Sequence, residues 1–305
     1  MGKGSKKKRS WWKISLVVIL VIVLGIGGYG YSIYHNAKKT VNEKMHEPVN
    51  SIDTDLAKKK VKASKPINVL LLGIDARPGE RGRSDALMVM SLDPKNDRMQ
   101  IISIPRDTRT LIVGKGKEDK INHAYAFGGS DMAVATVENF LDIELDYYVN
   151  LNMEGLKELV DELGNITVDN EIEWTDGKYE FTKGPLAMDG DKTLSFVRMR
   201  KQDPAGDFGR TKRQRQVIEA IINRGASVGS IPKINSTIKI LGKNMATSMD
   251  FDDMKDLFNN YRSTRHNVDN YMLQGTGTKI NGIYYLIIPD EEVEKVHGMI
   301  AEIKS

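Results

Sequence analysis

The expected fold class follows from one short run, Ile67-Asn-Val-Leu-Leu-Leu-Gly-Ile-Asp75. A short apolar run that ends in a glycine and an aspartate is typical of a buried strand that leads into a loop. Pro66 precedes the run and marks the start of the folded domain. Loops at the carboxyl ends of strands hold ligands in α/β folds, so the loop after Asp75 is a candidate site.

The chain beyond this run alternates between predicted strands and helices. Further strands are predicted at 86–92, 99–104, 146–151, 166–168, 266–273 and 279–288, and helices at 131–141, 153–163, 210–223 and 291–303. Such alternation is typical of a sheet covered by helices. We therefore expect an α/β fold, an α-β-α sandwich around a mixed central sheet.

Composition excludes several classes of protein. The chain has 305 residues and no cysteine, which excludes disulfides, thiolate zinc sites and cysteine nucleophiles. Residues 1–13 contain six Lys and Arg and no acid, so the remaining chain has a net charge of −2, against +4 for the whole. The basic character therefore belongs to a short tail, and we expect no nucleic acid partner.

A membrane anchor is predicted at residues 14–35, which contain no formally charged residue. About 20 apolar residues cross a bilayer. The basic tail at 1–13 predicts a cytoplasmic N-terminus, with the C-terminal part outside the cell. A cleaved signal peptide is the alternative, but no small-residue cleavage site closes the run. Residues 36–65 are polar and Lys-rich and are predicted to form a stalk, and residues 66–305 the extracellular domain.

Two aspartates flank the loop after the first strand. Asp75 ends the strand and Asp85 lies ten residues later, with Arg77 and Arg83 between them. Mg²⁺ is commonly bound by one or two carboxylates together with substrate phosphates, so Asp75 and Asp85 form a candidate Mg²⁺ pair. The alternative for Asp75 is a turn-forming or helix-capping role.

Further arginines follow later strands. Arg106 comes just past the predicted strand 99–104, and its alternative is a surface pair with Asp107. Arg198 and Arg200 lie two residues apart in a stretch predicted to be extended, so both side chains should point to one face. Two adjacent guanidinium groups repel unless an anion lies near them, although a solvated surface pair is also possible.

The helix predicted from Arg210 gives a stronger signal. Its apolar arc is set by Val217, Ile218 and Ile221; Arg210, Arg213 and Gln214 fall on or beside this arc, whereas Lys212, Arg215 and Glu219 fall away from it. A buried guanidinium without a partner is costly, so inward arginines imply an internal acid or a bound anion. The first turn of a helix also disfavours cations unless an anion is present.

One guanidinium group can donate two parallel hydrogen bonds to two phosphate oxygens. Carboxylates can hold the magnesium that accompanies a diphosphate. The chain has seven basic residues against two acids between Phe196 and Gln216. We therefore expect a pyrophosphate site.

Several blocks, in order over about residues 67–228, together resemble the LytR-CpsA-Psr family. They are Leu70-Leu-Leu-Gly-Ile-Asp75, Arg83-Ser-Asp85, Ser103-Ile-Pro-Arg-Asp107, Lys120-Ile-Asn-His-Ala-Tyr-Ala-Phe-Gly-Gly129, Arg198-Met-Arg200 and Asp207-Phe-Gly-Arg210 through Arg213-Gln214. The resemblance implies an enzyme of the cell membrane in a Gram-positive-like host. Its reaction would move an anionic glycopolymer, such as wall teichoic acid, from a polyprenyl diphosphate carrier to the muramic acid 6-hydroxyl of peptidoglycan.

The resemblance also implies roles for individual residues. Asp75 and Asp85 would hold Mg²⁺. The pyrophosphate would be lined by Arg83, Arg106, Arg198, Arg200, Arg210 and Gln214, and the catalytic set would be Arg83, Asp85, Arg106, Arg198 and Arg200. The base that takes the hydroxyl proton stays open among Asp75, Asp85, Asp107 and Asp207.

The diphosphate bond supplies the driving force, so no nucleotide is expected, in agreement with the absence of a P-loop from the sequence. The polyprenyl tail needs an apolar groove, which sequence cannot locate. Two alternatives remain open: a diphosphate hydrolase that uses water as nucleophile, and a non-catalytic protein that binds or regulates lipid-linked glycan.

Overall fold

The computed structural model describes residues 30–76, 80–226 and 233–304. The predicted basic tail and most of the predicted anchor lie outside these ranges. Within them, no helix combines the length and apolar character that crossing a bilayer requires. Residues 30–35, the last of the predicted anchor, begin helix α1 (residues 30–40), which continues as a π-helical turn over Val41–Met45.

The strands in chain order are β1 (Ile67–Asp75), β2 (Arg83–Asp93), β3 (Arg98–Ser103), β4 (Arg109–Ile112), β5 (Lys117–Lys120), β6 (Tyr147–Asn152), β7 (Ile166–Asn170), β8 (Trp174–Asp176), β9 (Tyr179–Phe181), β10 (Gly184–Met188), β11 (Met245–Thr247), β12 (Val268–Met272), β13 (Thr276–Ile280) and β14 (Ile283–Ile287). The helices after α1 are α2 (Thr54–Lys62), α3 (His123–Leu141), α4 (Met153–Leu163), α5 (Gly190–Arg198), α6 (Asp207–Gly225), α7 (Ile234–Asn244), α8 (Phe251–Tyr261) and α9 (Asp290–Lys304), with a 3₁₀ turn at Arg262–His266.

A six-stranded mixed sheet forms the centre of the fold, in the order β11-β6-β1-β2-β3-β12. Strand β1 pairs antiparallel with β2 and parallel with β6, and β3 pairs antiparallel with β2 and parallel with β12. The mixed sheet that the sequence predicts is therefore confirmed, and β1 lies near its centre because it is apolar almost throughout.

Helices cover both faces of this sheet, which confirms the predicted sandwich. On one face, Val134 and Val137 of α3 and Val296 of α9 belong to the same buried cluster as Leu72 of β1. On the other face, α2, α6 and α8 pack over Met88 of β2 and its neighbours. A third cluster joins α4, α5 and α6 to the hairpins β7–β10, around Trp174, Phe181 and Phe196.

Residues 36–65 differ from the predicted polar stalk, because their apolar side chains pack onto the domain. The buried members are Ala37, Val41, Met45, Val49, Ile52, Ala57 and Val61. These residues lie in a helix, a π-helical turn, an extended segment and a second helix, so no single period appears in the sequence. Helix α2 is capped by the Asp53 side chain, which accepts a hydrogen bond from the Leu56 N–H.

Two further segments also differ. The single strand predicted at 279–288 is a hairpin, because Asn281 and Gly282 form a two-residue turn with φ of 51° and 80°. Helices α7 and α8 were not predicted, although α8 begins with a capping box between Asp250 and Asp253.

A buried carboxylate joins α2 to the sheet. Asp146, in the loop before β6, accepts hydrogen bonds from Lys60 Nζ at 2.6 Å and from the Asn68 N–H at 2.8 Å. Asp146 is 3% exposed, so water cannot reach the site, and this carboxylate is the acceptor for both donors.

Replacement of Asp146 by alanine should therefore lower the free energy of unfolding by about 3 kcal/mol, since it leaves a buried N–H and a largely buried ammonium group without their acceptor. Urea denaturation of the full-length chain would measure this loss. The matched control is Asp269→Ala, which breaks the exposed pair with Arg98 and should cost less than about 1 kcal/mol. Equal losses in the two variants would contradict the role of Asp146.

Candidate active site

A β-bulge places the first two acidic residues of the site. Gly73 pairs with Ala86 but Ile74 pairs with Ser84, so Asp85 is an extra residue on β2. Such an extra residue bends the strand and redirects its side chain. A Cβ atom on Gly73 would lie only 2.9 Å from the Ala86 Cβ, which explains the glycine there. Beyond the bulge, Asp75 lies opposite Arg83.

Asp85 connects the loop after β3 to the start of α3. Its Oδ2 accepts a hydrogen bond from Arg106 Nη1 at 2.8 Å, and its Oδ1 accepts one from Asn122 Nδ2 at 3.2 Å. Arg106 is thus not the surface arginine that the sequence left open, because its side chain is 19% exposed and its shorter ion pair is with Asp85. The Arg106 and Asp107 side chains are 3.9 Å apart, and Asp107 instead accepts a hydrogen bond from Lys120 at 2.7 Å.

A polar cavity of about 640 Å³ opens at these strand ends, and we call it the polar cavity. Its walls carry Asp75, Glu80, Arg81, Gly82, Arg83, Asp85, Arg106 and Ala126. Four residues predicted for the site, Asp75, Arg83, Asp85 and Arg106, therefore face one space.

Arg198 and Arg200 lie at the edge of the same site but not in an extended stretch, so this part of the prediction is wrong. Arg198 is the last residue of α5, and Arg200 begins the loop before α6. Residues 190–198 form a helix because Asp189 caps its N-terminus and Thr193, Phe196 and Val197 face the core. Arg198 Nη2 lies 3.7 Å from Asp75 Oδ1, and both side chains are about half exposed.

Arg213 holds the loop of residues 199–206, which carries Arg200. Its guanidinium forms an ion pair with Asp203 and donates to the carbonyls of Met199 and of Phe196, the latter at 3.0 Å. The guanidinium carbon also lies 5.3 Å from the centroid of the Trp174 ring. The inward arginine that the sequence predicts at this position therefore has an internal acid as its partner, and its role is to position the loop.

Arg210 and Gln214 lie one helical turn apart on α6 and are each 7% exposed, as the helix pattern predicts. Arg210 Nη2 lies 2.5 Å from Asp207 Oδ1, but Nε and Nη2 have no well-oriented hydrogen-bond acceptor among the described residues. Gln214 Oε1 likewise has no partner within that part of the chain. Buried polar atoms of this kind normally have partners, so they indicate a bound ligand.

The pKa shift of Arg210, which differs from that of Arg106, also favours a bound anion. Burial lowers the pKa of Arg210, and the nearby cations Arg106 and Arg200 lower it further, against the effect of two acids. At Arg106 burial is outweighed by the facing carboxylates, first that of Asp85, so the pKa is raised. Because guanidinium groups stay protonated in proteins, the result at Arg210 is positive charge that an anion would neutralise.

Arg215 differs from the prediction that it falls away from the apolar arc. It is 9% exposed, and its Nη1 donates to Ser103 Oγ at 3.1 Å. The reason is that α6 packs on two sides, with Val217 in the cluster of the small hairpins and Ile218 against the central sheet. Its buried surface is therefore wider than one stripe.

An apolar cavity of about 540 Å³ lies beside the polar one, between the sheet and helices α4, α6, α7 and α8, and we call it the apolar cavity. Gly73, Ala86 and Gln214 lie in its wall, close in the chain to Asp75, Asp85 and Arg210 of the polar site. Farther along, the lining is aliphatic and includes Leu71, Met90 and Ile222. Its lining residues look like core residues in the sequence, so only the structure locates it.

The structure thus brings together all the residues predicted for the site, and it adds three. Asn122 fixes Asp85, Arg213 fixes the loop of Arg200, and Arg81 lines the polar cavity. Asn122 lies in a motif block quoted above, but nothing in its residue type reveals the contact. Together these groups can hold a diphosphate whose one substituent is apolar.

Comparison with known proteins shows the family of this chain. The sequence matches the LytR_cpsA_psr family over residues 28–302. The polyisoprenyl-teichoic acid–peptidoglycan teichoic acid transferase TagU of Bacillus subtilis (strain 168) is 45% identical over 280 residues, which cover 92% of this chain and 91% of that protein.

Two solved structures of similar proteins support this family. The crystal structure of B. subtilis TagU matches with a TM-score of 0.66 at 43% identity and covers 79% of this chain and 97% of that one. The structure of TagT bound to LIIa-WTA matches with a TM-score of 0.68 at 31% identity and covers 79% of this chain and 91% of that one. With a family match over most of its length and relatives at this level of identity, the chain belongs to the LytR_cpsA_psr family.

Proposed function

We propose that this protein is a glycopolymer phosphotransferase that moves wall teichoic acid from a polyprenyl diphosphate carrier to the muramic acid 6-hydroxyl of peptidoglycan. The observation that carries the proposal lies on α6, where the buried Arg210 and Gln214 keep side-chain atoms without hydrogen-bond partners among the described residues and Gln214 also lines the apolar cavity. A lipid diphosphate has a charged head, which suits these polar groups, and an apolar tail, which suits the apolar cavity. The names of the TagU relatives, which act on polyisoprenyl-linked teichoic acid and peptidoglycan, support the same substrates.

The diphosphate lies among Arg83, Arg106, Arg198, Arg200, Arg210 and Gln214, and the polyprenyl chain fills the apolar cavity. Phosphoryl transfer depends mainly on positioning and on neutralising charge. The acceptor oxygen forms a bond to the transferred phosphorus, the bond to the bridging oxygen breaks, and polyprenyl phosphate leaves. The arginines stabilise the negative charge that develops on both phosphates.

The proton of the acceptor hydroxyl passes to a carboxylate of the site. Asp75, Asp85, Asp107 and Asp207 are the candidates. Each of the four faces a cation: Asp107 accepts from Lys120 and Asp85 from Arg106, while Arg198 lies 3.7 Å from Asp75 and Arg210 2.5 Å from Asp207.

Asp75 and Asp85 would hold Mg²⁺. Both line the polar cavity, and Asp75 is half exposed, so its oxygens are accessible. Two carboxylates are enough for an ion that also takes substrate phosphates as ligands. Bound there, Mg²⁺ would neutralise phosphate charge.

The proposed setting is the outer face of the cell membrane. Residues 14–35 would span the bilayer once with residues 1–13 in the cytoplasm, which the charge of the tail supports. Peptidoglycan as acceptor requires the domain to lie outside.

The test incubates the purified full-length chain with Mg²⁺, a labelled polyprenyl diphosphate glycan and uncrosslinked peptidoglycan. Label on peptidoglycan establishes the transferase. Label released to water in place of transfer indicates a hydrolase, and label that stays on the lipid indicates a protein that only binds it.

Arg198→Ala should lower transfer kcat/KM about 100-fold or more, because a preorganised donor to the phosphates is lost. Arg198 is exposed at the end of a helix, so folding should be unaffected. Arg98→Ala is the matched control, since it removes another partly exposed arginine, 37% against 52% for Arg198, at the far end of β3. Full activity of Arg198→Ala would contradict the placement of the diphosphate.

Arg213→Met should lower both stability and transfer. It leaves the buried Asp203 carboxylate with the Ala205 N–H but without its cationic partner, a loss of about 3–5 kcal/mol by urea denaturation. The double variant Arg213→Met with Asp203→Leu should recover part of this stability but not transfer, because the carbonyls of Met199 and Phe196 still lack their donor. Recovery of transfer together with stability would mean that Arg213 serves only the fold.

A further inference from the structure

Three cations contact Phe127, the residue that follows Ala126 of the polar cavity wall. Lys115 Nζ and Lys117 Nζ lie 5.0 Å and 5.3 Å from the centroid of the Phe127 ring. Arg81 Nη1 donates to the Phe127 carbonyl at 3.1 Å. All three cationic side chains are exposed, whereas Phe127 is half-buried and packs against the core. The Phe127 ring thus faces two lysines and its carbonyl accepts from Arg81, so two separate segments bring three positive charges to one residue.

The nearest acids are already engaged by other residues. Glu118 pairs with Arg109, Asp107 with Lys120, and Asp119 lies 3.1 Å from His123 Nδ1. Lys115 and Lys117 are within 4.0 Å of no carboxylate of the described chain, and Glu80 is the acid that shares the cavity wall with Arg81. Like charges held together repel, so this cluster favours an anion from outside the chain.

The cluster lies next to the proposed diphosphate site. Arg81 lines the same cavity as Arg83 and Arg106. Asn122, which donates to Asp85, and Phe127 are both at the start of α3. Phe127 is five residues from Asn122, about 7.5 Å of helix, and follows Ala126 of the cavity wall, so the cluster borders the cavity in which we place the diphosphate.

We infer that Arg81, Lys115 and Lys117 form a second anion site, which binds a phosphate group of the polymer beyond its linkage to the carrier lipid. This inference rests on the proposed function and deepens it, because it makes the enzyme selective for a phosphate-bearing glycopolymer over a neutral one. The occupant is the donor's polymer because Arg81 lines the donor cavity, and the exposed Lys115 and Lys117 lie beside Phe127, which follows Ala126 of the same cavity wall.

The test compares two donors with the full-length chain and its Lys115→Ala, Lys117→Ala double variant. One donor is a polyprenyl diphosphate disaccharide, and the other is the same molecule extended by a short polyol phosphate chain. For the extended donor the double variant should raise KM about tenfold with little change in kcat, and its KM should depend less on salt than that of the unaltered protein. For the short donor KM should not change.

The matched control is the Lys178→Ala, Lys192→Ala double variant. These lysines also lie over aromatic rings, those of Tyr179 and Phe181, at 4.8 Å and 5.4 Å, and removing them changes the net charge by the same amount. Both donors should keep their KM in this variant.

Three results would overturn the inference. An equal rise in KM for both donors would place the effect at the diphosphate. A rise in KM only for peptidoglycan would assign the cluster to the acceptor, and no change at all would leave it without a ligand. A titration of free polyol phosphate oligomer tests the site apart from catalysis: the unaltered protein should bind it about tenfold more tightly than the double variant, even if no transfer occurred.

Discussion

The concentration of guanidinium groups in a half-buried space is the constraint on which the rest of this structure depends. Burial lowers the pKa of Arg210, and the nearby cations Arg106 and Arg200 lower it further. A protein can tolerate this arrangement only if surrounding carboxylates hold it together before the substrate arrives. Asp85 and Asp207 have that role here, and they leave the positive charge partly uncompensated.

The rest of the fold keeps these groups in place. A bulge in β2 turns Asp85 toward Arg106, and α3 supplies Asn122 as its second partner. The small hairpins β7–β10, remote from the central sheet, contribute Trp174 to the aromatic surface against which Arg213 holds the next loop. The position of Arg200 therefore depends on a part of the protein that touches no substrate in the proposed mechanism.

Sequence alone predicts the sheet, several helices and the arginines and aspartates that the structure brings together, because strand ends, helix faces and charge clusters leave patterns in the sequence, but it does not predict Asn122 or Arg81. The prediction fails where one helix packs against two neighbours, or where changes of conformation interrupt the apolar period. Arg215 is buried because α6 packs on two sides, and residues 36–65 conceal their apolar contacts by changing conformation repeatedly. The apolar cavity is invisible for a different reason, since a cavity wall and a packed core have the same composition.

The division of the site into two cavities has a kinetic consequence. After transfer, the glycopolymer leaves with its acceptor, but the lipid product still fills the apolar cavity and still presents a phosphate to Arg210 and Gln214. The product thus retains much of the donor's binding surface. Turnover should then be limited by exchange of the lipid rather than by phosphoryl transfer, and a burst in the first cycle would be its signature.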